Sequence, residues 1–252
     1  MKQPLDVLVV SALNRELAPL CRRLRARPTA TQRPRVYRAR AGNRDVFLAA
    51  VGVGRENARD RLASVIEAAR PGYVLGLGFG GALDPRLDIG DLIACRRVCV
   101  VEAPKADARV EFWQSAMVAG LDNLAVKVRD CVTVGGLVGS LEVKIRLGRV
   151  TGAYVCDMET SAWVNILNTT KLPYAIVRAV SDRVDQDVTI DFSRFVNKKG
   201  RISRSKVAAH LFVNPTVFGR VSRLWWTSRR AARSLARFAG PLLENPDWPA
   251  FG

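Results

Sequence analysis

Histidine occurs once in 252 residues, at position 210, in a basic stretch with no acid or cysteine nearby. Ser-His-Asp and Cys-His mechanisms and histidine-based metal sites therefore have almost no material. Cysteine is sparse too: five residues, at 21, 95, 99, 131 and 156, are an odd number without a C-x-x-C pair. Neither a disulfide framework nor a zinc ribbon is supported, and a reducing cytosol fits best. Long apolar runs are missing. The longest, residues 73–83, is eleven residues with four glycines, against the roughly 20 needed to span a bilayer. Residues 1–6 place an acid, Asp6, before a short apolar stretch, unlike a secretory signal. Acids are scarce: Lys plus Arg total 40 against 23 Asp plus Glu, a formal charge of +17. Residues 192–243 hold twelve Lys or Arg and residues 22–40 eight Arg, with no acid in either segment. Such a charge self-repels and calls for an anionic neighbour: nucleic acid, acidic lipid or a phosphorylated substrate. Neither a metal nor a cofactor is expected.

What is present is an ordinary core. At 48% hydrophobic and 25% charged, the chain suits one large globular domain. Residues 5–11 (LDVLVVS) form a β-branched apolar run that predicts a buried strand, followed by helix-compatible residues 14–24. Residues 36–41 and 46–51 flank Gly42-Asn43-Arg44-Asp45, a hairpin signal. Helical patterning over 56–69 stops at Pro71-Gly72. Further strands are predicted at 73–77, 91–101, 130–134, 153–157 and 174–181, with helices at 141–147 and 159–167. Strand and helix alternating at this spacing predict a sheet covered on both faces.

Three segments could carry chemistry. Gly76-Leu77-Gly78-Phe79-Gly80-Gly81 satisfies G-x-G-x-x-G after a strand, but a dinucleotide site needs a helix starting at the last glycine. Ala82-Leu83-Asp84-Pro85 offers turn chemistry instead, so the segment reads as a glycine-rich loop that lets backbone N–H groups approach a ligand. Cys156-Asp157-Met158-Glu159-Thr160-Ser161 places two carboxylates between a strand and a helix; helix capping by Asp157 explains it equally well. Arg178-Ala179-Val180-Ser181-Asp182-Arg183 closes an apolar strand with an acid beside two arginines, either a site or an ion-paired turn.

The order of the pieces adds a further reading. Ala12-x-x-x-Glu16, Val51-Gly52-Val53-Gly54-x-x-Asn57-Ala58, Gly78-x-Gly80-Gly81-Ala82-Leu83-Asp84-Pro85 with Gly90-Asp91, Asp157-Met158-Glu159 and Arg178-x-x-Ser181-Asp182 follow one another over roughly residues 5–195. This succession resembles the purine nucleoside phosphorylase and methylthioadenosine/S-adenosylhomocysteine nucleosidase superfamily. The resemblance implies a three-layer α/β/α sandwich around a central mixed sheet, spanning 1–195, with a basic helical C-terminal extension over 196–252. It also implies cleavage of the N-glycosidic bond of a purine nucleoside, with adenine as the expected base. Asp182 matches the general acid at purine N7, and Glu159 the carboxylate on the ribose hydroxyls. Met158 would pack on the sugar, and Gly80 and Ser181 would line the site. Glu16 matches the acid that activates water, with Arg178 orienting it. Hexameric phosphorylases carry a phosphate-binding Arg in place of that acid, and a carboxylate there would repel phosphate, which favours hydrolysis. Arg55 or Arg178 could still assemble an anion site, so phosphorolysis stays open. Phe79 stands where nucleosidases carry a small hydroxyl residue and would stack on the ligand. Residues 144–153 leading into Asp157, with the basic tail, look like the hopanoid-associated branch, whose inferred substrate is adenosylhopane.

The tail has three readings. A helix between Pro215 and Pro241 would carry Val221, Leu224, Trp225, Ala232, Leu235 and Ala239 on one face and Arg223, Arg230, Arg233 and Arg237 opposite. It could pack Leu224, Trp225 and Leu235 on the body. It could instead dock an anionic membrane with Trp225-Trp226, making the protein cytoplasmic but peripheral on the inner membrane face. Lastly, the protein could be a non-catalytic binder of nucleic acid or nucleosides, although no helix-turn-helix, zinc or RNP pattern supports specific nucleic-acid recognition. The resemblance further implies a homo-oligomer.

Overall fold

The computed structural model describes residues 6–29, 34–102, 110, 112–121, 126–187 and 215–249, with side chains 56–57 and 215–224 excepted. Ten strands form one mixed sheet. In chain order the elements are β1 (Val7–Ser11), α1 (Asn14–Arg23), β2 (Arg27–Pro28), β3 (Val36–Ala41), β4 (Arg44–Ala50), α2 (Arg55–Ala69) and β5 (Tyr73–Ala82). Then come β6 (Leu92–Val101), β7 (Trp113–Ser115), β8 (Lys127–Val134), α3 (Leu141–Thr151), β9 (Val155–Asp157), α4 (Thr160–Thr170), β10 (Tyr174–Asp182) and α5 (Pro215–Glu244).

The period-2 alternation of buried strands divides the core between two faces. Val7, Val9, Tyr73, Leu75, Ala175 and Val177 pack against Leu17 and Leu20 of α1 and Ala231, Leu235 and Ala239 of α5. Leu8, Val10, Val74 and Ile176 pack against Leu62 and Val65 of α2 and Trp163, Val164 and Leu167 of α4. The expected three layers are therefore present. One half of the sheet also closes on itself: β5 pairs β10, β10 pairs β6, β6 pairs β8, β8 pairs β9, and β9 returns to β5 at Gly81 and Ala82. On the open side β5 pairs β1 in parallel, followed by β4 and β3.

Two local expectations are corrected. Residues 76–81 do not form a loop: β5 runs straight through them to Ala82, paired with β10 from Val74 to Gly81. Their glycines serve close approach rather than turning, since a Cβ at Gly76 would sit 3.0 Å from Cγ1 of Ile176 and one at Gly81 3.2 Å from Oδ2 of Asp182. In α5, Ala232, Leu235 and Ala239 are buried as the wheel predicts, and Ala231 beside them is buried too, but Trp225 is 50% exposed. Side chains 221, 223 and 224 lie outside the described residues, as does His210. The helix also runs past Pro241 to Glu244. Beyond it, Trp248 packs edge-on against Tyr73, and Nε1 donates to the carbonyl of Gly120 at 2.6 Å.

All five cysteines are free, four of them buried. Burial pushes the thiols of Cys99 and Cys156 up to about 12, which leaves them unreactive. No described helix is long and apolar enough to cross a membrane.

Candidate active site

The chemistry-bearing residues gather where β1, β5, β9 and β10 end, together with the loop after β4, where open α/β sheets place their ligands. Glu16 sits in the first turn of α1. Its Oε2 accepts the N–H of Leu13 at 2.7 Å, closing off the helix start, and its Oε1 accepts the N–H of Phe79 on β5 at 2.9 Å. The carboxylate thus ties α1 to β5. Burial raises its pKa above the ordinary carboxylate range, against the opposing pull of those two N–H groups and of Arg178.

Arg178 is completely buried on β10, directly opposite Gly78. Its Nε and Nη2 donate to Oγ1 of Thr160 at 2.9 and 2.7 Å, Nη2 also pairs with Asp157, and the guanidinium lies 4.6 Å from the ring centre of Trp163. Arg178, expected to orient Glu16, makes no hydrogen bond to it. Its fork is taken by Asp157 and Thr160, whereas Glu16 is held by backbone N–H groups. Nη1 makes no hydrogen bond to a described residue, and a Cβ at position 78 would fall 1.8 Å from it and 3.6 Å from Oε1 of Glu16. Residue 78 must be glycine because the arginine passes through the space a side chain would fill.

The two carboxylates of the Asp157-Met158-Glu159 segment part company. Asp157 accepts from the backbone N–H of Thr160 at 3.0 Å, from Oγ1 of Thr133 at 2.8 Å, and from Thr160 Oγ1 and Arg178. It caps α4 and neutralises Arg178. Glu159 makes no capping bond; its Oε1 accepts the N–H of Gly54 at 3.0 Å across the loop after β4. Gly54 has φ of +87° with open space at its Cβ, so here the backbone conformation and not crowding requires glycine. Burial, reinforced by the negative charge of Asp157, pushes Glu159 up to about 8. Met158 between them is half-buried.

At the end of β10 a bulge follows Val180. Val180 pairs with Gly80 and Asp182 with Gly81, leaving Ser181 as the extra residue. Its Oγ donates to Oδ1 of Asp182 at 2.7 Å and lies 3.4 Å from the carbonyl of Gly80. Asp182 is buried, and its ionic partner is neither neighbouring arginine: Arg183 turns to Asp185 and Asp88. The partner is Lys144, from α3, with Nζ 2.5 Å from Oδ2. Phe79 is half-buried, with the Arg15 guanidinium 5.6 Å from its ring centre.

Sequence reasoning assigned no role to Lys144, Thr133, Thr160 or Trp163. Lys144 had a signal, because it shares the inward stripe of α3 with Leu147 and Thr151, where a charge needs a reason. Arg55, considered above for an anion site, pairs with Glu102. Among the described residues no cluster of His, Cys, Asp and Glu could hold a metal ion.

A profile of the Phosphorylase superfamily matches residues 6–212. The chain belongs to that superfamily. Among curated relatives, a 5'-methylthioadenosine/S-adenosylhomocysteine nucleosidase of Staphylococcus haemolyticus is 24% identical over 189 residues, covering 68% of this chain and 83% of the relative. One from Staphylococcus epidermidis is 26% identical over 190 residues, with the same coverage. Among solved structures, the nucleosidase of that name from Campylobacter jejuni superposes with a TM-score of 0.67 at 16% identity, covering 94% of this chain and all of the other. The futalosine hydrolase of Helicobacter pylori gives 0.66 at 16% identity, covering 94% and 98%. These superpositions establish the nucleoside-phosphorylase fold.

Proposed function

We propose that this superfamily member hydrolyses the N-glycosidic bond of an adenine nucleoside. The observation that carries the reading is the convergence of three buried carboxylates, each held differently: Glu16 by backbone N–H groups, Glu159 by the Gly54 loop, and Asp182 by Ser181 and Lys144. Three separately held carboxylates suit the three tasks of glycoside cleavage. Glu16 activates water, Glu159 binds the ribose hydroxyls and steadies the cationic sugar, and Asp182 directs a proton to N7 of the leaving base. Glu16 also favours water as the nucleophile, since its fixed charge repels a phosphate dianion. The names of the curated relatives support 5'-methylthioadenosine and S-adenosylhomocysteine as substrates.

A finer reading is that the nucleoside carries a lipid tail, as adenosylhopane does, and that α5 rests on anionic lipid. Its support is the resemblance over residues 144–160 and the exposed pair Trp225 and Trp226, with Arg229 stacked 4.4 and 5.8 Å from their ring centres. An apolar ring beside a cation suits the headgroup boundary. The homo-oligomer is likewise a proposal, supported by Leu141 and Ile145, exposed one turn apart on α3.

Purified protein incubated with 5'-methylthioadenosine, S-adenosylhomocysteine and a lipid-linked adenosine, with and without phosphate, tests all but the oligomer. Free adenine without phosphate is expected. Release only with phosphate would make the enzyme a phosphorylase and remove the role of Glu16. Preference for the lipid-linked member, with flotation on anionic vesicles, would establish the finer reading, and indifference to both would remove it.

A further inference from the structure

Lys144 is the one lysine among the described residues with no exposed side-chain surface, and every proton on its ammonium has an acceptor. Nζ donates to Oδ2 of Asp182 at 2.5 Å, to the carbonyl of Arg183 at 2.7 Å and to the carbonyl of Gln186 at 3.1 Å. A buried ion pair is weak evidence for stability, because desolvating two charges offsets their attraction. This one also stands directly behind the carboxylate read above as serving N7.

We propose that Lys144 is a positioning residue and the proton reserve behind Asp182, an inference that rests on the nucleosidase reading. In an ion pair the proton resides on nitrogen, so a carboxylate paired in this way needs a source before it can give a proton away. As the C1′–N9 bond breaks, its electron pair stays with adenine. The Nζ proton passes to the Asp182 carboxylate, and a proton passes from that carboxyl to N7. Water forms its bond to C1′ and yields its proton to Glu16. Lys144 is left as a neutral amine with two N–H groups, and the Arg183 and Gln186 carbonyls are the two acceptors that remain for them. The freed lone pair faces Asp182. Turnover closes when Glu16 loses its proton to solvent and Lys144 regains one. The same bonds anchor residues 183–186 to α3, so the carboxylate cannot turn away from the base.

The test uses full-length protein, 5'-methylthioadenosine as substrate, and 5'-methylthiotubercidin as a probe that keeps the pocket contacts but carries C–H in place of N7. Lys144→Met is expected to lower kcat by about 10²-fold or more at neutral pH, the ordinary reach of general-acid catalysis. Affinity for the 7-deaza probe should stay within about threefold, since general-acid catalysis at N7 has no counterpart in that ligand. Lys144→Arg keeps the charge but cannot release a proton in this pH range, so it should bind the probe normally without recovering kcat. It also keeps the proposal testable if the Met variant does not fold. An unchanged kcat in Lys144→Met, a parallel loss of probe affinity, or full recovery with Arg would each overturn the proposal. Asp182→Asn separates the two readings: if it turns over normally, the assignment of Asp182 falls, whereas loss in Asp182→Asn with a normal Lys144→Met removes only the proton reserve.

Discussion

Two buried cation–carboxylate pairs each draw one member from β10, Arg178 and Asp182, four residues apart, and their surroundings differ. Arg178 and Asp157 are sealed in by Thr160, Thr133 and Trp163, so that the arginine's planar fork is matched by oxygens within the protein. Lys144 and Asp182 meet at the strand end, beyond a bulge, with backbone carbonyls completing the lysine's shell. A delocalised guanidinium that never loses its proton suits a clasp; an ammonium that can lose one suits a reacting pair. The location of a charge pair says little about its role until the second partner of each atom is known.

The comparison breaks most sharply at Asp182. Asp182→Asn is expected to lower adenine release by 10²- to 10⁴-fold, the range of a lost general acid, while the unfolding transition stays cooperative, because the amide oxygen still accepts from Lys144. Steady-state assays and thermal unfolding of one preparation decide this. A large loss of stability with little loss of turnover would exchange the roles of the two pairs.

Asp157→Ala is the converse. It leaves Arg178 with a buried charge and no carboxylate cap, and removes the bond to the first N–H of α4. A destabilisation of about 3–5 kcal/mol is expected, as when one partner of a buried pair is deleted. Denaturant unfolding measures it, and a change below about 1 kcal/mol, the scale of an exposed pair, would show that the clasp is dispensable.

Glu159 feels both the burial and the charge of the first pair, which makes pH the next probe. Its carboxyl is pushed up to about 8, and the role proposed for it requires the ionised form. In the free enzyme, kcat/KM should therefore fall roughly tenfold per pH unit below about 8. Glu159→Gln should flatten that limb at a much lower level. The stability effect carries the opposite sense. Between the unfolded carboxyl range near 4.3 and about 8 the folded state holds the extra proton, so this group's contribution declines as pH rises. Glu159→Gln should raise the melting temperature by a few degrees at pH 8 and leave it unchanged at pH 4. A limb that persists in the variant would assign it to Glu16, whose pKa is also raised by burial.

Much of this architecture was legible in the sequence. β1, the β3–β4 hairpin and the α2 stop follow from local runs and turn residues, and local physics acts within a few residues. What escaped was set by partners far along the chain. Gly78 looked like loop glycine because Arg178, which fills its side-chain space, lies a hundred residues away. Which of Asp157 and Glu159 would meet Arg178, and which the Gly54 loop, was set by residues far along the chain. Trp225 fitted the apolar side of a wheel, but a wheel does not tell where along its length a helix meets the body. Arg178 bonds Asp157 and Thr160 rather than Glu16, since sequence order cannot show which of several nearby acids an arginine's fork will reach.

A third pair calibrates the other two. Arg23 and Glu244 make a two-pronged ion pair between α1 and α5, Nε to Oε1 at 3.1 Å and Nη2 to Oε2 at 2.8 Å, with side chains 41% and 44% exposed. Here both nitrogens of the fork reach one carboxylate, whereas Arg178 divides its fork between Asp157 and Thr160, and this pair alone lies open to solvent. Arg23→Ala should lower stability only slightly, and the effect should shrink as salt rises from about 0.05 to about 0.5 M, because exposed charges are screened over a Debye length of about 10 Å at 0.1 M. The helix would stay docked, since Leu235, Ala239 and Leu243 beneath it are buried whatever the salt. A large loss that salt does not change would mean instead that the arginine stem packs against Gly240, where a Cβ would come within 2.1 Å of its Nε, and that the contact holding the basic helix to the body is steric rather than ionic.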